Sequence, residues 1–447
     1  MGLTAEQELV RDTRNKNMLV SAAAGSGKTF VLVQRIISEI LDKDNGIDVD
    51  RILVVTFTNA AAAEMKERIR KAIDDAVSKN TSDLRIRAQA TLIHGAHIRT
   101  IDSFCSWVVK NYFYEIDRDP AFRIATTGEM KMLEDEVFSD LLSEYLEGGD
   151  EDFRLLADAY ISGRRTDTLK SMVTSLHEKA SSFPWIDEWY DDALRLYDIS
   201  TEEELNNSKF VELILERTNM ITGQLEKKLS DIVGLYDEDC VSKDKDLFNT
   251  DLNMLRAITE ANTFEEKYLA FSNLHFATFP RSTKDTCLDE NDMAMARAFR
   301  DKDFKPMLNK LAEDFYSESL SDMFASLQFV GRQAKALIEF ARVYTKRLYE
   351  EKTSKNIYSF NDIEHMALEI LRNKDSKEHE RRPVAIELAN HFKEVMVDEY
   401  QDSNELQEQI LTAVCSGNNY FTVGDVKQSI YAFRQASPQL FIDKLNS

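Results

Sequence analysis

The fold is decided by one stretch of the sequence, Met18-Leu19-Val20-Ser21-Ala22-Ala23-Ala24-Gly25-Ser26-Gly27-Lys28-Thr29. Its first residues form a short apolar run that is typical of a buried strand. The residues that follow it place apolar side chains at helical spacing, at Val31, Leu32, Ile36, Ile37, Ile40 and Leu41. A strand, a glycine-containing loop and an amphipathic helix in this order indicate a parallel α/β sheet.

The loop between this strand and this helix has the composition of a phosphate site. Backbone N–H groups at a helix N-terminus can surround a phosphate, and glycine lets the backbone approach it closely. Lys28 would reach the β- and γ-phosphates, and the Thr29 hydroxyl would bind Mg²⁺. The strict P-loop pattern has glycine at position 22, where this chain has Ala22, and an accidental Gly-Ser loop is the alternative. The predicted ATP-binding residues are Ala22, Ala23, Ala24, Gly25, Ser26, Gly27, Lys28 and Thr29.

Two acids follow a second apolar run, Val395-Met396-Val397. Asp398 is the expected Mg²⁺ partner of Thr29, and Glu399 is the expected base that polarises the attacking water. An Asp-Glu pair at the end of a strand can also be a solvated strand end. The upstream loop favours the metal and catalytic interpretation.

Strand-like runs also occur at Ile52–Val55 and Tyr420–Val423, whereas helical spacing dominates from about residue 114 to 350. The simplest architecture is one α/β domain interrupted by a long helical insertion.

The charge of the 447-residue chain follows this division. It has 56 basic and 79 acidic residues, a net charge of −23, which would argue against a nucleic-acid ligand. However, residues 114–354 hold 30 basic and 50 acidic side chains, whereas residues 1–113 hold 16 and 14. We therefore expect the acidic insertion to face solvent or a partner protein rather than DNA.

The cysteines and the hydropathy pattern predict the compartment. Cys105, Cys240, Cys287 and Cys415 lie far apart, so we expect free thiols rather than a disulfide framework or a zinc site. The chain has no apolar run of membrane-spanning length and no signal-peptide core. We expect a cytoplasmic protein without a membrane partner.

Four further motifs occur in order along the chain. They are Val54-Val55-Thr56-Phe57-Thr58-Asn59-Ala60-Ala61-Ala62-Ala63-Glu64-Met65, Thr100-Ile101-Asp102-Ser103-Phe104-Cys105, Asp398-Glu399-Tyr400-Gln401-Asp402-Ser403-Asn404 and Gly424-Asp425-Val426-Lys427-Gln428-Ser429-Ile430-Tyr431-Ala432-Phe433-Arg434. With the loop at 22–29, this set resembles that of superfamily 1 DNA helicases of the UvrD/Rep/RecB type. The last motif and the long insertion most resemble the AddA (RexA) family of helicase–nuclease subunits. The resemblance is strong over about 1–113 and 356–447.

The resemblance implies an α/β fold with a RecA-like P-loop domain and a parallel sheet (helicase domain 1A), interrupted by a mostly α-helical insertion (domain 1B). Domain 1A would comprise residues 1–116 and 346–447, and domain 1B residues 117–345. A second RecA-like domain and a nuclease domain would be absent, so we expect an N-terminal fragment that binds ATP and is nearly inactive alone.

The resemblance also implies roles for single residues. Gln7 would recognise adenine, and Gln428 would sense the γ-phosphate as a catalytic residue beside Lys28 and Glu399. The single-stranded DNA track would be lined by Phe57, Asn59, Ser103, Tyr431 and Phe433. Gln7 also fits a capping box with Thr4, and Phe57 and Phe433 could belong to the core.

Some positions depart from the family pattern. Asp102 stands where many relatives have histidine, so Ser103 is the better candidate for a DNA contact, and Ala432 replaces a residue that is often basic. The segment Ser359–Glu364 resembles a further family element, to which we assign a structural role.

The function implied is that of part of an ATP-dependent DNA helicase and nuclease in double-strand break repair by homologous recombination. Its implied partners are single-stranded and duplex-end DNA and an AddB (RexB)-like second subunit in a heterodimer. A nucleotide-gated DNA-binding or docking module and a UvrD/Rep-like monomeric helicase are the alternatives.

Overall fold

The computed structural model of the chain describes residues 3–23, 25–42, 44–79, 82–163, 165–237, 239–280, 286–425 and 438–446. The chain forms two compact units. The first comprises Met1–Asp150, Tyr160–Tyr190 and Glu339–Ser447, and the second comprises Glu151–Ala159 and Asp191–Ile338.

The strands of the first unit form a parallel sheet and a small two-stranded sheet. In chain order they are β1 (Met18–Ser21), β2 (Ile52–Thr56), β3 (His97–Thr100), β4 (Arg123–Ile124), β5 (Ile357–Tyr358), β6 (Glu394–Val397) and β7 (Tyr420–Gly424). The larger sheet has the order β1-β7-β6-β2-β3, and all of its pairs are parallel. The prediction of an α/β fold with a parallel sheet is confirmed.

The carboxyl ends of these strands lie along one edge of the sheet. Ser21 pairs with Gly424, Val55 pairs with Val397, and Thr56 pairs with Thr100. Strands β2, β6 and β7 are buried along their whole length, as expected for a parallel sheet covered on both faces. The loops that leave this edge are therefore close neighbours in space.

Helices make up most of the remaining described chain. They are α1 (Ala5–Asp12), α2 (Lys28–Leu41), α3 (Asn59–Lys79), α4 (Leu84–Leu92), α5 (Ile101–Tyr112), α6 (Thr127–Gly148), α7 (Glu151–Tyr160), α8 (Asp167–Ser181), α9 (Ile186–Arg195), α10 (Glu202–Asn206), α11 (Lys209–Gly234), α12 (Lys243–Glu260), α13 (Phe264–Ser272), α14 (Glu290–Phe299), α15 (Lys305–Phe315), α16 (Leu320–Ser354), α17 (Phe360–Leu371), α18 (Pro383–His391), α19 (Glu405–Ala413) and α20 (Pro438–Asn446). Among the described residues, every helix is too short or too polar to cross a bilayer.

The first unit has apolar cores on both faces of the sheet. Helix α2 buries Leu32, Val33, Ile36 and Ile40 on one face, together with apolar residues of α3. On the other face α5, α17 and α19 enclose a second cluster that includes Phe104 and Ile363. The periodicity seen after Thr29 in the sequence is thus the buried stripe of α2.

The second unit is helical. Its core is formed mainly by α11, α12 and α15, with Phe248, Leu255 and Leu308 fully buried. A π-helical turn at Arg300–Phe304 joins α14 to α15. It carries the fully buried Arg300, which is paired with Asp251.

The cysteine expectation is wrong for two of the four residues. Cys240 and Cys287 form a disulfide in the second unit, whereas Cys105 and Cys415 are free and buried in the first. The partners are 47 residues apart. Sequence spacing alone gives no sign of such a pairing, because it depends on how α12 and α13 fold the intervening chain back.

Candidate nucleotide and strand-binding site

The loop after β1 requires two left-handed glycines. Gly25 has a φ of 76°, and Gly27, the N-cap of α2, has a φ of 83°. Residues other than glycine rarely adopt these backbone angles. Lys28 Nζ donates to the carbonyl of Ala22 at 3.2 Å, so its ammonium folds back over the loop. Ala24 lies outside the described residues.

Gln7 contacts this loop from α1. Its side chain completes a capping box, accepting from the Thr4 N–H at 3.0 Å, and its Nε2 donates to the Ser26 carbonyl at 3.1 Å. A side chain added at Gly27 would lie 3.6 Å from the same Nε2. The capping box and a position at the phosphate loop are therefore compatible roles for this residue.

Thr29 and Asp398 are brought together by the sheet. Thr29 Oγ1 donates to Asp398 Oδ2 at 3.0 Å, although the residues are 369 positions apart in the chain. Asp398 continues the ladder at the end of β6, since its N–H donates to the Val55 carbonyl at 3.0 Å. A hydroxyl and a carboxylate at this distance form the kind of oxygen ligand pair that Mg²⁺ binds.

The environment of the two acids differs. Burial, reinforced by the charge of Glu399, raises the pKa of Asp398 to about 6, although the Thr29 hydroxyl bond lowers it. Glu399 is half-buried and has a left-handed φ of 55°. Non-glycine residues in this conformation are uncommon and are often found at functional sites.

Gln401 connects Glu399 to the end of β7. Its Nε2 donates to Glu399 Oε2 at 2.8 Å, and its Oε1 accepts from the Asp425 N–H at 2.9 Å. A side chain at Gly424 would collide with Gln401 Oε1, so glycine leaves room for the amide. The segment after Asp425 contains Gln428, Tyr431, Ala432 and Phe433, which lie outside the described residues.

The described residues proposed for the DNA track line one cleft. Phe57, Asn59 and Ser103 surround a cavity of about 650 Å³. Asp102 lines it as well, and Asn59 and Ser103 are exposed to solvent. Phe57 is half-buried at the end of β2, so it belongs to the cleft wall rather than to the fully buried core. We call this cavity the strand cleft.

Sequence reasoning missed several residues of the strand cleft. Phe360 lines it with 53% of its surface exposed, and α5 adds Trp107 and Lys110. The segment from Ser359 does have a structural role, because Ser359 and Asp362 form the capping box of α17. The sequence did contain a signal for this exposed ring. Phe360 is the first residue of α17, directly after the N-cap Ser359, where side chains often remain exposed.

The strand cleft adjoins the acidic pair. A second cavity of about 440 Å³ is lined by Thr29, Asp398, Glu399 and Gln401 on one side and by Phe57 on the other. Phe57 therefore lines both cavities.

Known proteins resemble this chain over nearly its whole length. The family profile of the UvrD/REP helicase N-terminal domain matches residues 3–447. The chain is 36% identical to the A subunit of the ATP-dependent helicase/nuclease of Lachnoclostridium phytofermentans, over 99% of this chain and 33% of that protein. The protein of the same name from Clostridium botulinum is 38% identical, over 99% of this chain and 36% of that protein. The one from Anoxybacillus flavithermus is 37% identical, over 99% of this chain and 37% of that protein.

The chain thus spans about a third of the length of these curated relatives. The profile match, in contrast, covers nearly every residue of the chain, including the loop at 22–29, the acids after β6 and the strand cleft. The chain therefore belongs to the UvrD/REP helicase family and carries its N-terminal domain.

Proposed function

We propose that this chain is the ATP-binding part of an AddA-type helicase–nuclease that moves along single-stranded DNA. The observation that carries the proposal is the 3.0 Å contact between Thr29 and Asp398, because it joins the phosphate loop to the acidic strand end. In this proposal residues 1–116 and 346–447 are helicase domain 1A, and residues 117–345 are the insertion 1B.

The residues of the loop suit ATP with Mg²⁺. The left-handed Gly25 and Gly27 lead the loop into the N-terminus of α2, whose dipole favours a phosphate. Lys28 exchanges its contact with the Ala22 carbonyl for the phosphates, and Thr29 and Asp398 would hold Mg²⁺. Mg²⁺ held by these two residues would supply positive charge against the phosphates of ATP.

Glu399 is the proposed base. Gln401 holds one carboxylate oxygen of Glu399 at 2.8 Å and leaves the other available to orient water. Because Gln401 also binds the Asp425 amide, it offers a route by which loss of the γ-phosphate reaches the segment of Gln428, Tyr431 and Phe433. These three residues keep their proposed roles as γ-phosphate sensor and DNA contacts.

The strand cleft is the proposed path of single-stranded DNA. Phe57 and Phe360 offer aromatic surfaces on which bases of any identity can stack, and Asn59, Ser103 and Lys110 offer donors to the phosphates. Stacking without sequence readout suits a protein that translocates.

We further propose that the full-length protein works on DNA ends in double-strand break repair, in the cytoplasm, as a heterodimer with an AddB (RexB)-like partner. The curated relatives, each named as one lettered subunit of a helicase/nuclease, support a partner of this kind.

Nucleotide binding tests the proposal. A fluorescent ATP analogue is titrated into the chain with Mg²⁺, and Lys28→Ala is expected to weaken binding about 10- to 150-fold, since a charge-assisted phosphate contact is lost. Lys16→Ala, an exposed lysine before β1, is the matched control and should bind like the wild type. Equal affinity of the Lys28→Ala variant would contradict the assignment of the loop.

A further inference from the structure

The turn that carries Glu399 is anchored by the residue that follows it. Glu399 has a left-handed backbone, with a φ of 55° and a ψ of 42°, and the 3₁₀ turn Tyr400–Asp402 begins directly after it. Tyr400 is only 1% exposed, whereas Glu399 is half-buried. A glutamate persists in this conformation only where the surrounding structure holds it. The contacts of Tyr400 are therefore among those that keep the Glu399 turn in place.

A buried carboxylate accepts the hydroxyl of Tyr400. The Tyr400 O–H donates to Glu408 Oε2 at 2.9 Å, and the O–H of Tyr420, the first residue of β7, donates to the same oxygen at 2.8 Å. Burial, reinforced by the charge of Glu408, raises the pKa of both tyrosines above the usual value of 10, so both keep the proton that they donate. Since Glu408 belongs to α19, the turn after Glu399 is connected to α19 and to β7.

The other oxygen of Glu408 is paired with a lysine of α20. Lys444 Nζ lies 2.7 Å from Glu408 Oε1. The same ammonium lies 4.4 Å from the centre of the Tyr400 ring and 4.2 Å from that of the Tyr420 ring. A cation at these distances is attracted by both rings as well as by the carboxylate. Lys444 therefore stabilises the charge of Glu408 and contacts both tyrosines that donate to it.

Lys444 is not needed to attach α20 to the core. Phe441 of the same helix is fully buried, and its ring centre lies 6.1 Å from that of Tyr400. The Lys444 side chain as a whole is 30% exposed, yet its Nζ is buried, so the ammonium points inward. A buried carboxylate without a cation is costly. The lysine thus supports the network around Glu408 rather than the packing of α20.

We propose that Lys444 is a positioning residue for ATP hydrolysis. It acts through Glu408 and Tyr400, and it holds the turn from which Glu399 orients water. In this role Lys444 contacts neither ATP nor the attacking water, and it adds a second support to the one that Gln401 supplies. The inference rests on the proposed function, since it requires Glu399 to be the base.

Steady-state ATP hydrolysis by the full-length subunit, with single-stranded DNA present, tests the inference. Lys444→Met removes the charge and is expected to lower kcat about 10- to 100-fold, the size of effect that follows when a catalytic group is misplaced by up to about 1 Å. The KM for ATP and the affinity for a fluorescent ATP analogue should not change, because Lys28, Thr29 and Asp398 keep their contacts. Lys444→Arg, which keeps a cation over the rings, should retain most of kcat.

A matched control and a second variant accompany this measurement. Lys374 of the same unit also lies 2.7 Å from a glutamate, Glu369, and Lys374→Met should hydrolyse ATP like the wild type. Tyr400→Phe deletes the hydroxyl and keeps the ring, so it should lower kcat without changing KM. The two variants keep the test decisive if one of them folds poorly, which thermal unfolding detects.

A double substitution tests whether Lys444 acts through Glu399. Glu399→Gln removes the base, and its residual rate is measured in a single turnover. Adding Lys444→Met to this subunit should cause no further loss, because the group that the lysine positions is already gone. A defect that were merely structural would instead add to the loss.

The outcomes separate the two proposals. Wild-type kcat in both Lys444→Met and Tyr400→Phe, or a full further loss in the Glu399→Gln subunit, would overturn the inference and leave the proposed function standing. Hydrolysis at the wild-type rate by the Glu399→Gln subunit would instead contradict the proposed base, and the inference with it.

Discussion

Gln401 and Glu399 are joined by a hydrogen bond of 2.8 Å from Nε2 to Oε2. The other end of the same amide accepts the Asp425 N–H in a buried bond of 2.9 Å. We expect Gln401→Leu to lower the free energy of unfolding by about 1–3 kcal/mol, because it removes the acceptor of a buried N–H. It should also slow ATP hydrolysis more than it weakens nucleotide binding, since Glu399 loses its orienting donor.

Urea unfolding of this chain and an ATP hydrolysis assay of the full-length subunit measure these effects. Gln224→Leu, on the exposed side of α11, is the control. Gly424→Ala should also destabilise the chain, because its side chain would meet Gln401, and the two changes should not be additive. A Gln401→Leu chain with wild-type stability and hydrolysis would show that the bond is incidental.

Phe360 gives the sharpest test of the strand cleft. It lines the cleft with 53% of its surface exposed, so its ring is available to a base. Phe360→Ala is expected to weaken oligo(dT) binding about 5- to 150-fold, the loss of one stacking contact of about 1–3 kcal/mol. Anisotropy titrations measure the change.

Phe329 supplies a matched control, because this phenylalanine of α16 is 56% exposed and belongs to the second unit. Phe329→Ala should bind oligo(dT) like the wild type. If both substitutions weakened binding equally, the effect would reflect general surface hydrophobicity rather than the cleft.

The sequence predicted those site residues that directly follow the carboxyl ends of strands. Short apolar runs identified β1, β2, β6 and β7, and a parallel sheet necessarily collects their carboxyl ends. Thr29 and Asp398 therefore meet although they are 369 positions apart. The roles of Gln428, Tyr431 and Phe433 stay predictions.

Other features depend on packing that periodicity does not encode. Strand β3, His-Ile-Arg-Thr, lacks an apolar run and was not predicted. The exposure of Phe360, which lies between Ser359 and Asn361 at the start of α17, depends on which side of that helix packs inward. The bond between Cys240 and Cys287 depends on the path of two helices between them.

A buried ion cluster far from the loop predicts a pH effect on stability. Arg35 pairs with Glu39 at 3.2 Å and with Glu394 at 3.0 Å, and all three side chains are almost fully buried. Burial, reinforced by the charge of Glu394, raises the pKa of Glu39 from 4.5 to about 8. Folding therefore favours the protonated acid. The stabilisation that protonated Glu39 contributes to the free energy of unfolding is fully present below pH 4.5 and is lost as the pH rises through about 8.

The expected result is a free energy of unfolding that falls with rising pH over this window, by at most about 1.4 kcal/mol per unit. Glu39→Gln, which cannot ionise, should flatten that slope. Urea unfolding at several pH values measures it, with Glu216→Gln on the exposed face of α11 as the control. An unchanged slope in the Glu39→Gln chain would mean that this acid is ionised throughout.

The disulfide predicts a redox effect on the second unit. Cross-linking Cys240 to Cys287, 47 residues apart, restricts the unfolded chain and stabilises by about 2–4 kcal/mol in the chain-entropy description. A reductant should therefore lower the unfolding temperature of the wild type, and Cys287→Ser should lower it without a reductant. Thermal unfolding with and without a thiol reductant measures both.

The two free cysteines do not obscure this comparison. Burial raises the pKa of Cys415 to about 12 and raises that of Cys105 as well, so both remain unreactive thiols. Adding a reductant to the Cys287→Ser chain should consequently change nothing. If that variant unfolded at the wild-type temperature under non-reducing conditions, the bond would contribute no stability. The helical packing around Phe248 and Leu255 would then hold the second unit without it.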